Sequence, residues 1–109
     1  MGISTTASGI FSTATGYFTT ANSYESFVLG TYNTGKTESG GTPSTYSWVS
    51  TDPLFEVGNG TGTGSNASDA LIVYKDGNAK LQGTFTPNGG VLTTPASVAN
   101  TDIPMFTGN

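Results

Sequence analysis

The sequence predicts an all-β chain: a short roll of parallel coils, each about fourteen residues long, followed by a small domain built on a β-hairpin. Three observations carry that expectation. Gly2, Gly16 and Gly30 recur at a spacing of fourteen, as do Thr6, Thr20 and Thr34, and Ala7 returns as Ala21. Thr, Gly, Ser and Asn supply 56 of the 109 residues, a composition suited to turns and narrow β architecture. Residues 70–74, Ala-Leu-Ile-Val-Tyr, form the most hydrophobic run and lead into Asp76-Gly77, a strong hairpin signal.

The repeats occupy residues 1–34, where Ile10 aligns with Tyr24, Phe18 with Tyr32 and Ala14 with Val28. A period this short, rich in Gly, Ser and Thr, is that of a β-solenoid or β-roll in which each repeat forms one coil. Fourteen residues accommodate two strands of about five, at roughly 3.3 Å per residue, and two tight turns. Glycine at a fixed phase supplies the positive φ of a sharp corner. Ala7, Ala14 and Ala21 suit a narrow interior, and the threonine pairs suit strand surfaces.

Residues 35–51 break the period as an irregular connector, marked by Gly35, Gly40, Gly41 and Pro43. Within it, 45–50 alternates polar with apolar and reads as a strand. Residues 52–109 form the small β domain. There 54–57 reads as a strand, 58–65 as a loop, 70–74 as a strand, and 78–82 as the strand returning from the Asp76-Gly77 turn. The tail, 83–109, carries Pro87, Pro95 and Pro104 and reads as extended, with a short strand at 90–94. No helix is expected.

The composition also excludes functions. Leu, Ile, Val and Phe number 21 of 109, too few to offset the entropy of folding alone, so identical partner chains are expected to supply further burial. The net charge is −4, low enough to argue against disorder. Without cysteine or histidine there are no disulfides, no thiolate metal sites and none of the commonest general bases. The basic residues are Lys36, Lys75 and Lys80 alone, which argues against nucleic acid. No apolar run is long enough for membrane insertion by this segment. Met1-Gly2 with Thr6 fits a myristoylation pattern. The phase of Gly16 and Gly30 already explains Gly2, and Met1 reads as a start codon placed on a piece of a longer protein.

Seven acids are present: Glu25, Glu38, Asp52, Glu56, Asp69, Asp76 and Asp102. Nothing in the sequence pairs two of them as a glycosidase requires. Asp69, Asp76 and Asn78 lack the spacing of a calcium loop and read as turn formers. The sequons at Asn59 and Asn66 fall in a Gly/Thr-rich loop. No catalytic residue, cofactor or metal ligand is expected, and the chain is not expected to be an enzyme.

The aromatic residues Tyr17, Phe18, Tyr24, Tyr32, Tyr46 and Trp48 are many for so polar a chain. They are expected to fill interfaces between subunits. The alternative is an exposed site that stacks on sugar rings or anchors a protein partner. Trp48, with Tyr46 on the same strand face, is the first choice for that role, followed by Tyr32 and Tyr24.

Ser-x-Ala-x-Gly at 12–16, its echo at 26–30 and the Thr-Thr-Ala lead-ins resemble the fourteen-residue head repeats of YadA-type trimeric autotransporter adhesins. Leu-Phe-Glu-Val-Gly-Asn-Gly-Thr at 54–61 and the block at 68–78 are similar to the segment C-terminal to such repeats in many bacterial surface proteins and phage tail fibres. Together these blocks cover about two thirds of the chain. The resemblance implies a left-handed parallel β-roll, three chains side by side, and an extracellular place on a bacterial surface or virion. It implies a non-catalytic structural and adhesive role, with a host-cell glycan or matrix protein as the contact. A receptor-binding or shaft segment of a phage tail fibre is the alternative. The chain departs from the pattern in having barely more than two repeats and in the heavy Phe27-Val28-Leu29, which fits a roll ending or a wall packed against neighbours. An ice- or carbohydrate-binding solenoid is the minor alternative, since Thr5-Thr6 and Thr19-Thr20 would line a flat β face.

Overall fold

The computed structural model describes residues 1–89; Asp102 and the strand expected at 90–94 lie outside them. The described chain is all-β, with nine strands and one turn of 3-10 helix at Gly64–Asn66. The strands are β1 Gly2–Ile3, β2 Thr6–Ala7, β3 Thr13–Ala14, β4 Gly16–Tyr17, β5 Thr20–Ala21, β6 Phe27–Thr31, β7 Pro53–Asn59, β8 Asp69–Tyr74 and β9 Ala79–Leu81.

The fourteen-residue period becomes a parallel register. Gly2 pairs with Gly16 in β1–β4, Thr6 with Thr20 in β2–β5, Ala14 with Val28 in β3–β6, and Tyr17 with Thr31 in β4–β6. The stack does not end at residue 34. β7 continues it in parallel on β6, with Val28 opposite Glu56 and Gly30 opposite Gly58. That offset is two periods, so residues between these strands leave the stack and the chain rejoins it in phase. The boundary expected at 52 therefore falls within one continuous sheet.

Five of the nine strands are two residues long, shorter than the five residues expected, and every repeat contains two corners. Ser4, Phe11, Phe18, Glu25 and Tyr32 all have left-handed backbone, with φ between 41 and 61°, and they recur every seventh residue. Non-glycine residues thus take left-handed backbone at every corner, while Gly2, Gly16 and Gly30 have the positive φ expected of them. The phased glycines serve a further need. A Cβ on Gly2, Gly16 or Gly30 would lie 2.0–2.2 Å from the carbonyl oxygen of Gly16, Gly30 or Gly58 in the adjoining layer. Close backbone approach, together with φ of 101–128°, excludes any side chain there.

Ala14, Ala21 and Val28 form the apolar interior. Ala7, expected inside, is exposed in the outermost layer. Beyond Val28 the same column holds Glu56, and Ile72 of β8 follows it in antiparallel register. The sheet changes from parallel to antiparallel at β7.

The strand expected at 45–50 is absent. The Ser44 hydroxyl accepts from the Tyr46 and Ser47 amides at 3.4 and 3.2 Å, curling the chain into a turn. Asp52 holds the Ser44 amide at 2.9 Å. The connector then lies across two layers, where the amides of Ile10 and Tyr24 donate to the Thr45 and Ser44 carbonyls at 2.8 and 2.9 Å. The Asp76-Gly77 turn forms as expected. Gly77 has φ 93°, the Asn78 amide donates to Asp76 Oδ1 at 2.9 Å, and β8 pairs antiparallel with β9. The region read as a loop at 58–65 begins inside β7 and ends in the 3-10 turn.

Candidate functional site

Three surfaces and one buried cluster carry the groups capable of recognition or chemistry. The first surface is a sheet face. Alternation along β6, β7 and β8 turns Val28, Glu56 and Ile72 inward and buries them, so Phe27, Leu29, Phe55, Val57, Leu71 and Val73 take the opposite side. The register aligns them in two rows, Phe27–Phe55–Val73 and Leu29–Val57–Leu71, the latter reaching Leu81 of β9. The rings of Phe27 and Phe55 stack at 6.0 Å and 21°. All six side chains remain at least partly open to solvent, so among the described residues this apolar face is not fully covered. Sequence reading singled out 27–29 as a heavy wall. The contributions of β7 and β8 emerge only once the two-period register is known.

The second surface gathers two of the four predicted aromatic residues. Lys75 Nζ lies 5.6 Å from the Tyr24 ring centroid and 5.0 Å from that of Trp48, and it donates to Ser23 Oγ at 2.9 Å. Burial pushes the Lys75 ammonium below its ordinary value, while Asp52 and Glu25 act in the opposite direction. Phe11 meets Tyr24 edge-on at 6.0 Å. Phe11, Tyr46 and Trp48 are 77, 73 and 52% exposed. Tyr46 follows the Ser44 turn and makes none of these ring contacts. Tyr46 and Trp48 share no strand face, since the strand is not formed.

Tyr32 belongs to the third surface, a different corner. It stacks on Phe18 at 5.0 Å and 10° and meets Tyr17 at 5.7 Å, nearly perpendicular. Desolvation, followed by Tyr17, raises its hydroxyl above the ordinary tyrosine value. The threonine pairs do not make a two-row face: Thr19 is fully buried, and the outward row is Thr6, Thr20 and Thr34.

The buried cluster centres on Glu56, which is 1% exposed and feels the charge of Asp69 on the neighbouring strand. Asp69 accepts from the Thr34 amide at 3.2 Å and from its hydroxyl at 2.6 Å, and it reaches a groove of about 680 Å³ lined also by Lys36, Glu38, Tyr74 and Lys80. Glu56 itself is sealed from that groove's solvent, so the pair offers no open acid and base to a substrate. Among the described residues no cluster of three potential metal-ligating side chains occurs, and no helix is long and apolar enough to cross a membrane.

No protein-family model matches the chain, and neither the curated proteins nor the solved structures give a match.

Proposed function

We propose that the chain is a short left-handed parallel β-roll carrying a hairpin domain, and that three copies associate into a non-catalytic, adhesive segment of an extracellular surface fibre. The observation that carries this reading is the incompletely covered apolar face of β6, β7 and β8. Contiguous apolar area of this kind marks an interaction site, and a chain whose buried apolar residues, among those described, are Ala14, Ala21, Val28, Ile72 and Tyr74 gains most from covering it. The resemblance of 12–16 and 26–30 to adhesin head repeats, and of 54–61 and 68–78 to the segment that follows them, supplies the bacterial surface and the trimer. The same blocks fit a phage tail fibre, and the neighbouring sequence separates the two: a membrane anchor for the first, a baseplate-attachment domain for the second.

Trp48, Tyr46 and Tyr24 stand outside the rows of that face. This leaves them for contact with a host-cell glycan or matrix protein. Light scattering on a sizing column, over a range of dilutions, tests the assembly. The expected result is a stable mass of three chains that Leu29→Glu reduces to one. A folded wild-type monomer overturns the fibre reading. Trp48→Ala is expected to abolish saturable glycan or matrix binding with the circular dichroism spectrum unchanged; loss of folding instead makes Trp48 structural.

A further inference from the structure

The interior column of the stack runs Ala14, Val28, Glu56, so a carboxyl stands where the two preceding layers place apolar groups. One of its oxygens is well served. Glu56 Oε1 accepts from Asn33 Nδ2 at 2.9 Å and from the Gly35 amide at 3.0 Å. The other oxygen, Oε2, is buried and receives no hydrogen bond from a donor among the described residues. Asp69 of the neighbouring strand acts on this carboxyl, and its own two oxygens already accept from Thr34. Two ionised carboxylates in contact inside a protein repel, and an unpaired buried charge costs far more than a neutral, hydrogen-bonded acid.

We propose that Glu56 keeps its proton and donates it from Oε2 to the carboxylate of Asp69, so that the two acids form a latch tying the parallel stack to the β8–β9 pair. The proton completes the hydrogen bonding at both ends: Oε1 remains an acceptor for Asn33 and Gly35, and Oε2 becomes the donor that Asp69 can accept. No nearby group supplies a competing charge from the packed strands. β6 has no titratable residue, β8 brings Asp69 and Tyr74, and the segment after Asn33 brings Lys36, which is exposed.

The direction of the shift agrees with this geometry. Desolvation first, and then the charge of Asp69, raise the Glu56 carboxyl from 4.5 to about 8, against the lowering effect of the bonds from Asn33 and Gly35. A raised folded value means that the latch contributes in full below the ordinary carboxylate range and that its contribution is lost as pH rises through about 8. Alkaline conditions therefore loosen the joint between stack and hairpin.

The test is a titration of the Glu56 carboxyl carbon by NMR on the full chain, with urea midpoints measured in parallel from pH 5 to 9. A midpoint above neutrality, falling in Asp69→Asn, supports the latch. A midpoint in the ordinary range near 4–5, or one that Asp69→Asn leaves in place, overturns it. The wild-type urea midpoint is expected to fall as pH rises, while Glu56→Gln, whose amide nitrogen donates as the protonated acid does, stays level between pH 6 and 9. Equal slopes in the two proteins overturn the proposal, as does a stabilisation by added calcium or sodium ions that Glu56→Gln removes. If Glu56→Gln does not fold, the wild-type NMR midpoint decides alone.

Discussion

Replacing Gly16 by alanine probes the contact on which the whole stack depends. Its added Cβ would stand 2.1 Å from the Gly30 carbonyl oxygen, in a backbone with φ 115°. Opening that contact to the 3.0 Å floor of real Cβ contacts moves the layers apart by about 0.9 Å. The bonds from Thr15 to Val28 and from Tyr32 to Tyr17, now 2.9 and 3.2 Å, would then exceed the hydrogen-bonding range. Two such bonds contribute about 1 kcal/mol each, and the backbone strain adds about 1–3 kcal/mol. The expected loss is about 3–5 kcal/mol, against a total of roughly 4–13 kcal/mol for a folded unit of this size. Three further glycines separate the causes. Gly9 has ordinary φ but would meet the Ser23 carbonyl at 2.0 Å, Gly77 has φ 93° with open space around it, and Gly83 has neither constraint. Urea denaturation followed by circular dichroism should rank the alanine variants with Gly16 worst, Gly9 and Gly77 intermediate and Gly83 neutral. Equal losses at Gly16 and Gly77 would refute the close-approach argument and leave backbone conformation as the whole effect.

Phe11→Asn is expected to stabilise the chain by about 0.5–1 kcal/mol in a thermal melt, because asparagine tolerates the left-handed corner that an exposed phenylalanine occupies at φ 61°. A double-mutant cycle on Trp48→Ala and Lys75→Met should return a coupling of about 0.5–2 kcal/mol, the cation–π contribution, from urea midpoints. Glu56→Val restores the apolar column yet strands Asn33 Nδ2 and the Gly35 amide, so it should cost about 2–4 kcal/mol of stability by the same assay.

How much of this was legible depended on whether the signal was local. The phase of Gly2, Gly16 and Gly30 gave the register directly, and Asp76-Gly77 gave its turn, since each is a backbone requirement met by residue type. The seven-residue rhythm of corners was not legible, because Ser4, Phe11, Phe18, Glu25 and Tyr32 share no chemistry that announces a left-handed backbone. Alternation at 45–50 misled: it marks a strand only where a partner strand exists, and the Ser44 hydroxyl had already committed those amides to a turn. Of the site residues, sequence reading named Trp48 and Tyr24 by type. Their meeting across Lys75, which comes 27 positions after Trp48, required the fold.

The acids in the interior become intelligible as the end of a ladder. β5 lacks a further parallel strand in its own sheet, since the chain departs after Asn33. An open edge of this kind invites unwanted pairing. Asn33 closes it with a side-chain amide that imitates a peptide, accepting from the Thr20 amide at 2.7 Å and donating to the Thr20 carbonyl at 2.9 Å. Its second amide hydrogen then needs a buried acceptor, and Glu56, one layer beyond Val28, provides it. Along β7 the apolar pair Phe55 and Val57 faces outward, where a neighbouring chain can cover it, and Glu56 faces inward, where the terminated ladder requires an acceptor. One strand's alternation thus links the outer face of β7 to the buried carboxyl behind it.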